Sequence, residues 1–368
     1  MSKARELAEL GAVYDSGALS NRNIIINGAM QVAQRGTSST GLGATSGYYT
    51  VDRFNPNFNS TSGRLTMTQE TITDLPGFNK CVKFACTTAD TSIGAAEYFL
   101  LSHNIEGQNL QQLEKGTSSA KKVTVSFYVK GNAAATYVAE FQDQSSREIS
   151  KSFSVTTDWT RVVLTFDGDT SGAITNTNTT GMGLIFWLHA GSNFNSGNAG
   201  DLNTSWSASG TGTRCAGIDS FFDSTSRTLF ITGVQMELGD TATPFEHRSF
   251  GDELARCQRY YFESPSYQAG SAGTGADVIL YHSYLKAANN WEWLPQEFPV
   301  EMRANPTITT SDGATDGKIG HWTSGGGGST QGHSPWQVLM KTNHVRVNEY
   351  ATGSIYGFYY NYKADAEL

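Results

Sequence analysis

Apolar and polar residues alternate over several short runs, and that period of two decides what the chain can fold into. Val123, Val125, Phe127 and Val129 alternate with Thr124, Ser126, Tyr128 and Lys130, and Val162, Leu164 and Phe166 recur in the same way along Trp159 to Phe166. Successive side chains of a strand point to opposite faces, so each run predicts a strand with one buried face. Further strands are predicted over Ile149 to Val155 and Leu184 to Ala190. Between them lie Gly-, Ser- and Asn-rich stretches such as Asp167 to Thr180 and Gly191 to Gly212, which read as loops. Charged residues make up only 16% of the 368 positions while Gly reaches 39, a composition of short strands and turns rather than of a helical bundle. The predicted fold class is all-β, a two-sheet sandwich or jelly roll, and long loops at one end of such a sandwich are where binding usually sits.

The block Ile231 to Tyr261 predicts a joint between two modules. Phe230, Val234, Met236 and Leu238 read as one face of a half-buried strand whose polar members are Thr232, Gln235 and Glu237, and Gly239, Asp240 and Pro244 end it. Ser249 with Asp252 forms an N-cap signal, after which Phe250, Leu254, Cys257 and Tyr261 make an apolar stripe at helical spacing. Beyond it come a second strand set over Val278 to Leu285, Gln296 to Met302, His344 to Tyr350 and Ser354 to Tyr362, with Tyr356, Phe358, Tyr360 and Tyr362 on one side of the last. The expected organisation is an N-terminal attachment segment (1–20), a jelly roll (21–248), a linking helix (249–263) and a smaller, aromatic-rich distal β-domain (264–368). In the first of these, Ala4, Leu7 and Ala8 mark one face of a short N-terminal helix, too short to stand alone, which either frays or docks on a partner.

The net charge of −8 gives no general electrostatic grip on nucleic acid or an anionic membrane, so neither is an expected partner. The N-terminus lacks an apolar export core, and the longest apolar runs fall short of the roughly 18 residues that a membrane helix needs, so neither export by its own signal nor membrane insertion is expected. The four cysteines, Cys81, Cys86, Cys215 and Cys257, show no metal spacing and predict packed thiols. Cys81 and Cys86 point to opposite faces of one strand.

No GxSxG, HExxH or phosphate-loop pattern is present, and no catalytic residue, cofactor or metal is expected. Glu292, between Trp291 and Trp293, would be the best general acid, yet on a strand it points away from both rings. His321 and His333 are the best histidine pair for a metal, and Asp167 with Asp169 or Asp312 with Asp316 the best calcium carboxylates, but all read better as turn or surface residues. Four of the seven tryptophans lie beyond Gly251. Aromatic rings stack on sugar faces while amides bond hydroxyls, so Trp291, Trp293, Trp322, Trp336, Tyr359 and Asn290 are the candidate glycan-binding residues, in competition with core packing for the same rings.

Three separated blocks, NRNIIINGAMQVAQRG (21–36), YTVDRF (49–54) and the joint at 231–261, resemble bacteriophage virion proteins, in particular marine cyanophage tail fibres and related tail proteins. The resemblance implies a carbohydrate-binding-module-like jelly roll, a homotrimer, and partners among other phage tail proteins (adaptor or nozzle) and host surface polysaccharide, with the protein placed in the virion tail after assembly in the host cytoplasm. On this expectation Phe250, Leu254, Cys257 and Tyr261 either meet on a threefold axis or cover the edge of their own domain. The other readings are a capsid decoration or tail-assembly protein without ligand, and a glycan-cleaving tailspike.

Overall fold

The computed structural model describes Lys3 and residues 21–210, 212–264, 282–286, 291–311, 316, 320–323, 337–350 and 355–368. The chain divides into two compact units, Met1–Glu253 with Leu368, and Leu254–Glu367, so the division falls inside the linking helix. Ala4, Leu7 and Ala8 lie outside the described residues.

The first unit is a sandwich of two six-stranded antiparallel sheets. One sheet contains β1 (Ser38–Leu42), β3 (Arg64–Thr71), β4 (Lys80–Thr88), β12 (Thr228–Leu238), β6 (Val123–Gly131) and β9 (Thr160–Phe166), in that order. The other contains β11 (Ser207–Ala208), β8 (Arg147–Val155), β7 (Ala135–Asp143), β10 (Thr180–Ala190), β5 (Tyr98–Glu106) and β2 (Asn55–Asn59). The expected strands at 123–129, 149–155, 159–166 and 184–190 are all present, and their alternation is what fills the space between the sheets. Val125, Phe127, Val129, Phe141, Phe153, Phe166, Phe186 and their neighbours form one continuous core. Each such side chain contributes about 1.5–3 kcal/mol on leaving water, and edge-to-face pairs such as Phe127 with Phe186, at 5.0 Å, fix their mutual orientation.

Strand β12 corrects one reading of its sequence. Its pairing with β6 shifts register between Thr232 and Gln235, and Gly233 there has φ +62°. This bulge moves the side chains by one face. Leu229 and Ile231 point into the core before it, and Val234 and Met236 after it, while Phe230 packs on the outer face with Phe78 and Tyr128. Phe230 therefore does not share a face with Val234 and Met236. Cys86 faces the core and Cys81 the opposite side, as five-residue spacing requires, and all four cysteines are buried thiols outside any disulfide.

The helix α1 spans Phe250–Gln258. Its cap forms as predicted: the Asp252 N–H donates to Ser249 Oγ at 3.1 Å, and the Ser249 hydroxyl donates to the Asp252 carboxylate at 2.7 Å. The helix stops before Tyr261, which belongs to the next strand. No described helix is long and apolar enough to cross a membrane.

The described residues of the second unit form three three-stranded antiparallel sheets. Strands β13 (Tyr261–Glu263), β21 (Asn361–Asp365) and β16 (Thr307–Ser311) form the first, β14 (His282–Lys286), β20 (Ile355–Tyr359) and β17 (Gly320–Thr323) the second, and β15 (Trp291–Glu297), β19 (His344–Tyr350) and β18 (Gln337–Met340) the third. The expected single strand over Ser354 to Tyr362 is thus two strands in different sheets, divided at Tyr360. Phe262, Phe298, Met302, Val345, Tyr360 and Tyr362 are the large members of its core.

Candidate functional site

The outer face of the sheet containing β10 is sealed by the chain itself. Trp187, Ile185, Val138 and Leu100 form an apolar patch there, and Phe194, Leu202, Cys215 and Ile218 of the loop 191–220 cover it. Beside them Arg214 binds the buried carboxylates of Glu140 and Glu148 and lies 5.0 Å over the Trp187 ring. Burial pushes the Glu140 carboxyl up to about 7, against the pull of Arg214. The largest buried aromatic of this sheet is therefore structural.

An open concavity lies instead at one end of the sandwich, between the loop 107–121 and the loop 167–180. It is a groove of about 500 Å³ lined by Gln111, Glu114, Thr117 and Ser119 on one side and Ala173 and Ile174 on the other, with Leu110 and Lys115 beneath. Gln111, Glu114, Thr117, Ser119 and Ala173 are exposed, whereas Leu110, Lys115 and Ile174 are buried. Solvated donors and acceptors beside the apolar side chains of Leu110 and Ile174 match the chemistry of a ring that carries hydroxyls at its edge and C–H bonds on its face.

The walls are held rigidly. Backbone N–H groups of Gly107 and Gln108 donate to Thr179 and Thr177 carbonyls, both at 2.9 Å, and that of Gly116 to the Asp169 carbonyl at 2.8 Å. Two glycines permit this approach. A Cβ on Gly107 would lie 2.2 Å from the Thr175 carbonyl oxygen, and one on Gly116, whose φ is +85°, would lie 2.7 Å from the Ala173 nitrogen.

Beneath the groove is a buried charge cluster. Lys115 Nζ binds the Asp143 carboxylate, Asp169 at 2.8 Å and the Gly172 carbonyl at 2.9 Å, while Arg147 clasps Asp169 with Nε and Nη2 at 2.7 and 2.9 Å. Burial raises the Asp169 carboxyl, but Arg147 and Lys115 more than offset this and hold it below the ordinary carboxylate range. Half-exposed Trp206 completes the surroundings: its ring lies 4.6 Å from Lys115 Nζ and its Nε1 donates to the Asp167 carbonyl at 2.6 Å. The weighed pairing of Asp167 with Asp169 as calcium ligands thus separates, because Asp169 is consumed by two cations and Asp167 faces Lys122. Asp316 pairs with Lys363, and Asp312 lies outside the described residues.

The glycan residues predicted from sequence fall elsewhere. Trp291 and Trp293 lie on β15, Trp322 on β17 and Tyr359 on β20, which places them in two different sheets of the second unit. Their side chains, together with Asn290 and Trp336, lie outside the described residues, and so do the side chains of Glu292 and His321 and the whole of His333. The predicted helical stripe is corrected. Tyr261 is on β13, paired with Asp365, and both it and Cys257 are buried within the chain's own fold, so neither is available to a threefold seam. Leu254 is half-buried, and Phe250, at 58% exposed, is the member that faces water.

No family model and no curated protein matches the chain. Among solved structures it is similar to the enzymatically active domain of tailspike protein 4 of bacteriophage CBA120, at 11% identity and TM-score 0.29, covering 59% of this chain and 21% of that one. It is likewise similar to a family 61 carbohydrate-binding module solved with β-1,4-galactotriose, at 9% identity and TM-score 0.30, covering 59% of this chain and 99% of the module. A family 11 carbohydrate-binding module from Clostridium thermocellum follows at 9% identity and TM-score 0.27, with 56% and 98% covered. The chain thus spans about a fifth of the tailspike's length. The sandwich itself rests on the strand pairing described above, and the ligands of those proteins remain theirs.

Proposed function

We propose that the chain is a non-enzymatic structural protein of a phage particle, a tail fibre that assembles as a homotrimer and recognises host surface polysaccharide. The observation that carries the binding part is the groove between 107–121 and 167–180: a concave, polar-rimmed surface with Leu110 and Ile174 in its lining on a rigid sandwich end, where the sealed sheet face offers no alternative at Trp187. The particle part rests on the three sequence blocks that resemble phage tail proteins. Three copies would present three grooves, and linked weak sites gain avidity without any new contact.

The test is binding of the full chain to immobilised host polysaccharide, alongside competition by soluble protein for particle adsorption. Gln111→Ala combined with Glu114→Ala alters two exposed side chains and is expected to weaken binding at least about tenfold, with only a small fall in melting temperature from the lost bonds of Gln111 to the Gly107 and Ile174 carbonyls. Unchanged binding by this variant would remove the groove from the reading, and release of new reducing ends would replace recognition by cleavage.

A further inference from the structure

Away from the groove, three titratable side chains converge without a cation to balance them. Asp90 follows β4, Glu97 immediately precedes β5, and His189 is the penultimate residue of β10, yet one ligand atom from each lies within 4.8 Å of the others. His189 is fully buried, and its Nε2 stands 3.8 Å from Glu97 Oε2, too far for a hydrogen bond. Both of these atoms are buried without a hydrogen-bond partner. Asp90 Oδ2 accepts from the Thr61 hydroxyl at 2.7 Å and the Ser62 N–H at 2.9 Å. Among the described residues no Lys or Arg forms an ion pair with either carboxylate. Burial pushes the Glu97 carboxyl up and lowers the His189 imidazole to about 4. The imidazole is therefore neutral at pH 7, the form in which histidine ligates a metal.

The frame around these groups is fixed. His189 Nδ1 lies 2.8 Å from Ser220 Oγ, which also accepts from the Phe222 N–H at 3.1 Å, and Phe222 packs edge-on against the imidazole at 5.2 Å. With the proton on Nδ1 and donated to Ser220, the Nε2 lone pair points at the carboxylates, the arrangement by which an outer hydrogen bond orients a ligating histidine. Gly191 N donates to the Glu97 carbonyl at 2.8 Å, and a Cβ on Gly191 would fall 1.9 Å from the Gly94 oxygen, so the segment carrying Glu97 is pressed against the end of β10.

We propose that Asp90, Glu97 and His189 bind a divalent transition cation, zinc, with a coordination position left for water. One imidazole and two carboxylates are zinc donors at about 2.0–2.2 Å, and bonds of that length draw the three atoms together by less than a side-chain rotation supplies. The cation neutralises the buried Asp90 carboxylate and the half-buried Glu97 carboxylate, and partners the two orphaned atoms. It also ties the 90–97 loop to the start of the 191–220 loop, the segment that seals the sheet face, so its role is distinct from the groove and its test independent of glycan binding.

The experiment uses the full chain stripped with EDTA and titrated with zinc chloride, calcium chloride serving as the control. Zinc is expected to bind and to raise the melting temperature, calcium to do so far less. Glu97→Gln, which keeps the shape of a side chain that reaches the surface, is expected to lose one equivalent of zinc and its thermal shift. Ser220→Ala, which leaves all three ligands in place, is expected to weaken that equivalent by about 10–100-fold. Cobalt substituted for zinc gives visible bands that Glu97→Gln abolishes. Zinc uptake and thermal shift equal in wild type and Glu97→Gln would overturn the assignment, because uptake would then belong to other histidines. Absence of any zinc effect, with a more stable Glu97→Gln, would overturn it in favour of a proton shared between Asp90 and Glu97.

Discussion

Lys115 Nζ donates to Asp169 Oδ2 at 2.8 Å beneath the groove, with both side chains less than 5% exposed. The pair cannot be judged alone, since Lys115 also holds Asp143 and Arg147 also holds Asp169. Removing one member of a buried pair strands its partner's charge. Lys115→Met is therefore expected to cost about 3–5 kcal/mol, measured by urea unfolding. Adding Asp143→Asn to Lys115→Met should recover part of that loss, because Arg147 still serves Asp169. A double variant no more stable than the single one would show that Lys115 acts through packing against Trp206 rather than through charge.

The groove depends on close approach of two loops, and Gly116 tests this directly. Its φ of +85° disfavours any side chain, and a Cβ there meets the Ala173 backbone at 2.7 Å. Gly116→Ala is expected to destabilise by about 1–3 kcal/mol and to widen the groove. Polysaccharide binding should fall with it even at temperatures where circular dichroism reports a folded sandwich. Binding equal to wild type would mean that the ligand does not touch this end.

The sandwich was legible because burial on one face forces a period of two, and the runs at 123–129 and 159–166 carry that period, interrupted in the second by the exposed Val163. The bulge at Gly233 was not, since a single inserted residue reverses faces while leaving Phe230 and Val234 both apolar. Nor was the break at Tyr360, where aromatic residues continue through the change of sheet. The loop 167–180 announced itself by composition, but its partner at 107–121 did not, and nothing local says that Lys115 meets Asp143 and Asp169. His189 lies about a hundred positions from Asp90 in sequence, so only strand order in the folded sheet brings them together. The stripe from Phe250 to Tyr261 obeyed helical spacing, yet the helix ended at Gln258 and the last member joined a sheet, where tertiary pairing outweighed periodicity.

Arg214 makes a second ion cluster testable. Glu140 and Glu148 have no exposed side-chain surface, and Arg214 is the cation that reaches both. Arg214→Met is expected to unfold the 191–220 cover before the rest of the sandwich. Hydrogen exchange would then quicken first at Asn203 and Cys215, whose amides donate to Thr213 and Phe194 carbonyls at 3.1 Å. A single cooperative loss across the unit would instead make the cover inseparable from the core.

His103 supplies a pH dependence of known sign. It is buried between the sheets, its Nε2 lies 3.1 Å from the Ile26 carbonyl, and burial together with nearby Arg53 lowers it from 6.5 to about 3. Between those two values the unfolded chain binds a proton that the folded chain refuses. Stability is therefore intact above pH 6.5 and falls as pH drops toward 3, by up to about 1.4 kcal/mol per pH unit from this residue. Glu140, raised to about 7, acts in the opposite sense and loses stability as pH rises from 4.5 toward 7. The informative quantity is the difference between wild type and His103→Gln, whose amide can still serve the Ile26 backbone. That difference, from urea unfolding with EDTA present so that His189 carries no metal, should grow in favour of the variant from pH 6 to pH 4. Parallel curves over that range would mean that His103 is protonated in the folded chain and that Arg53 does not govern it.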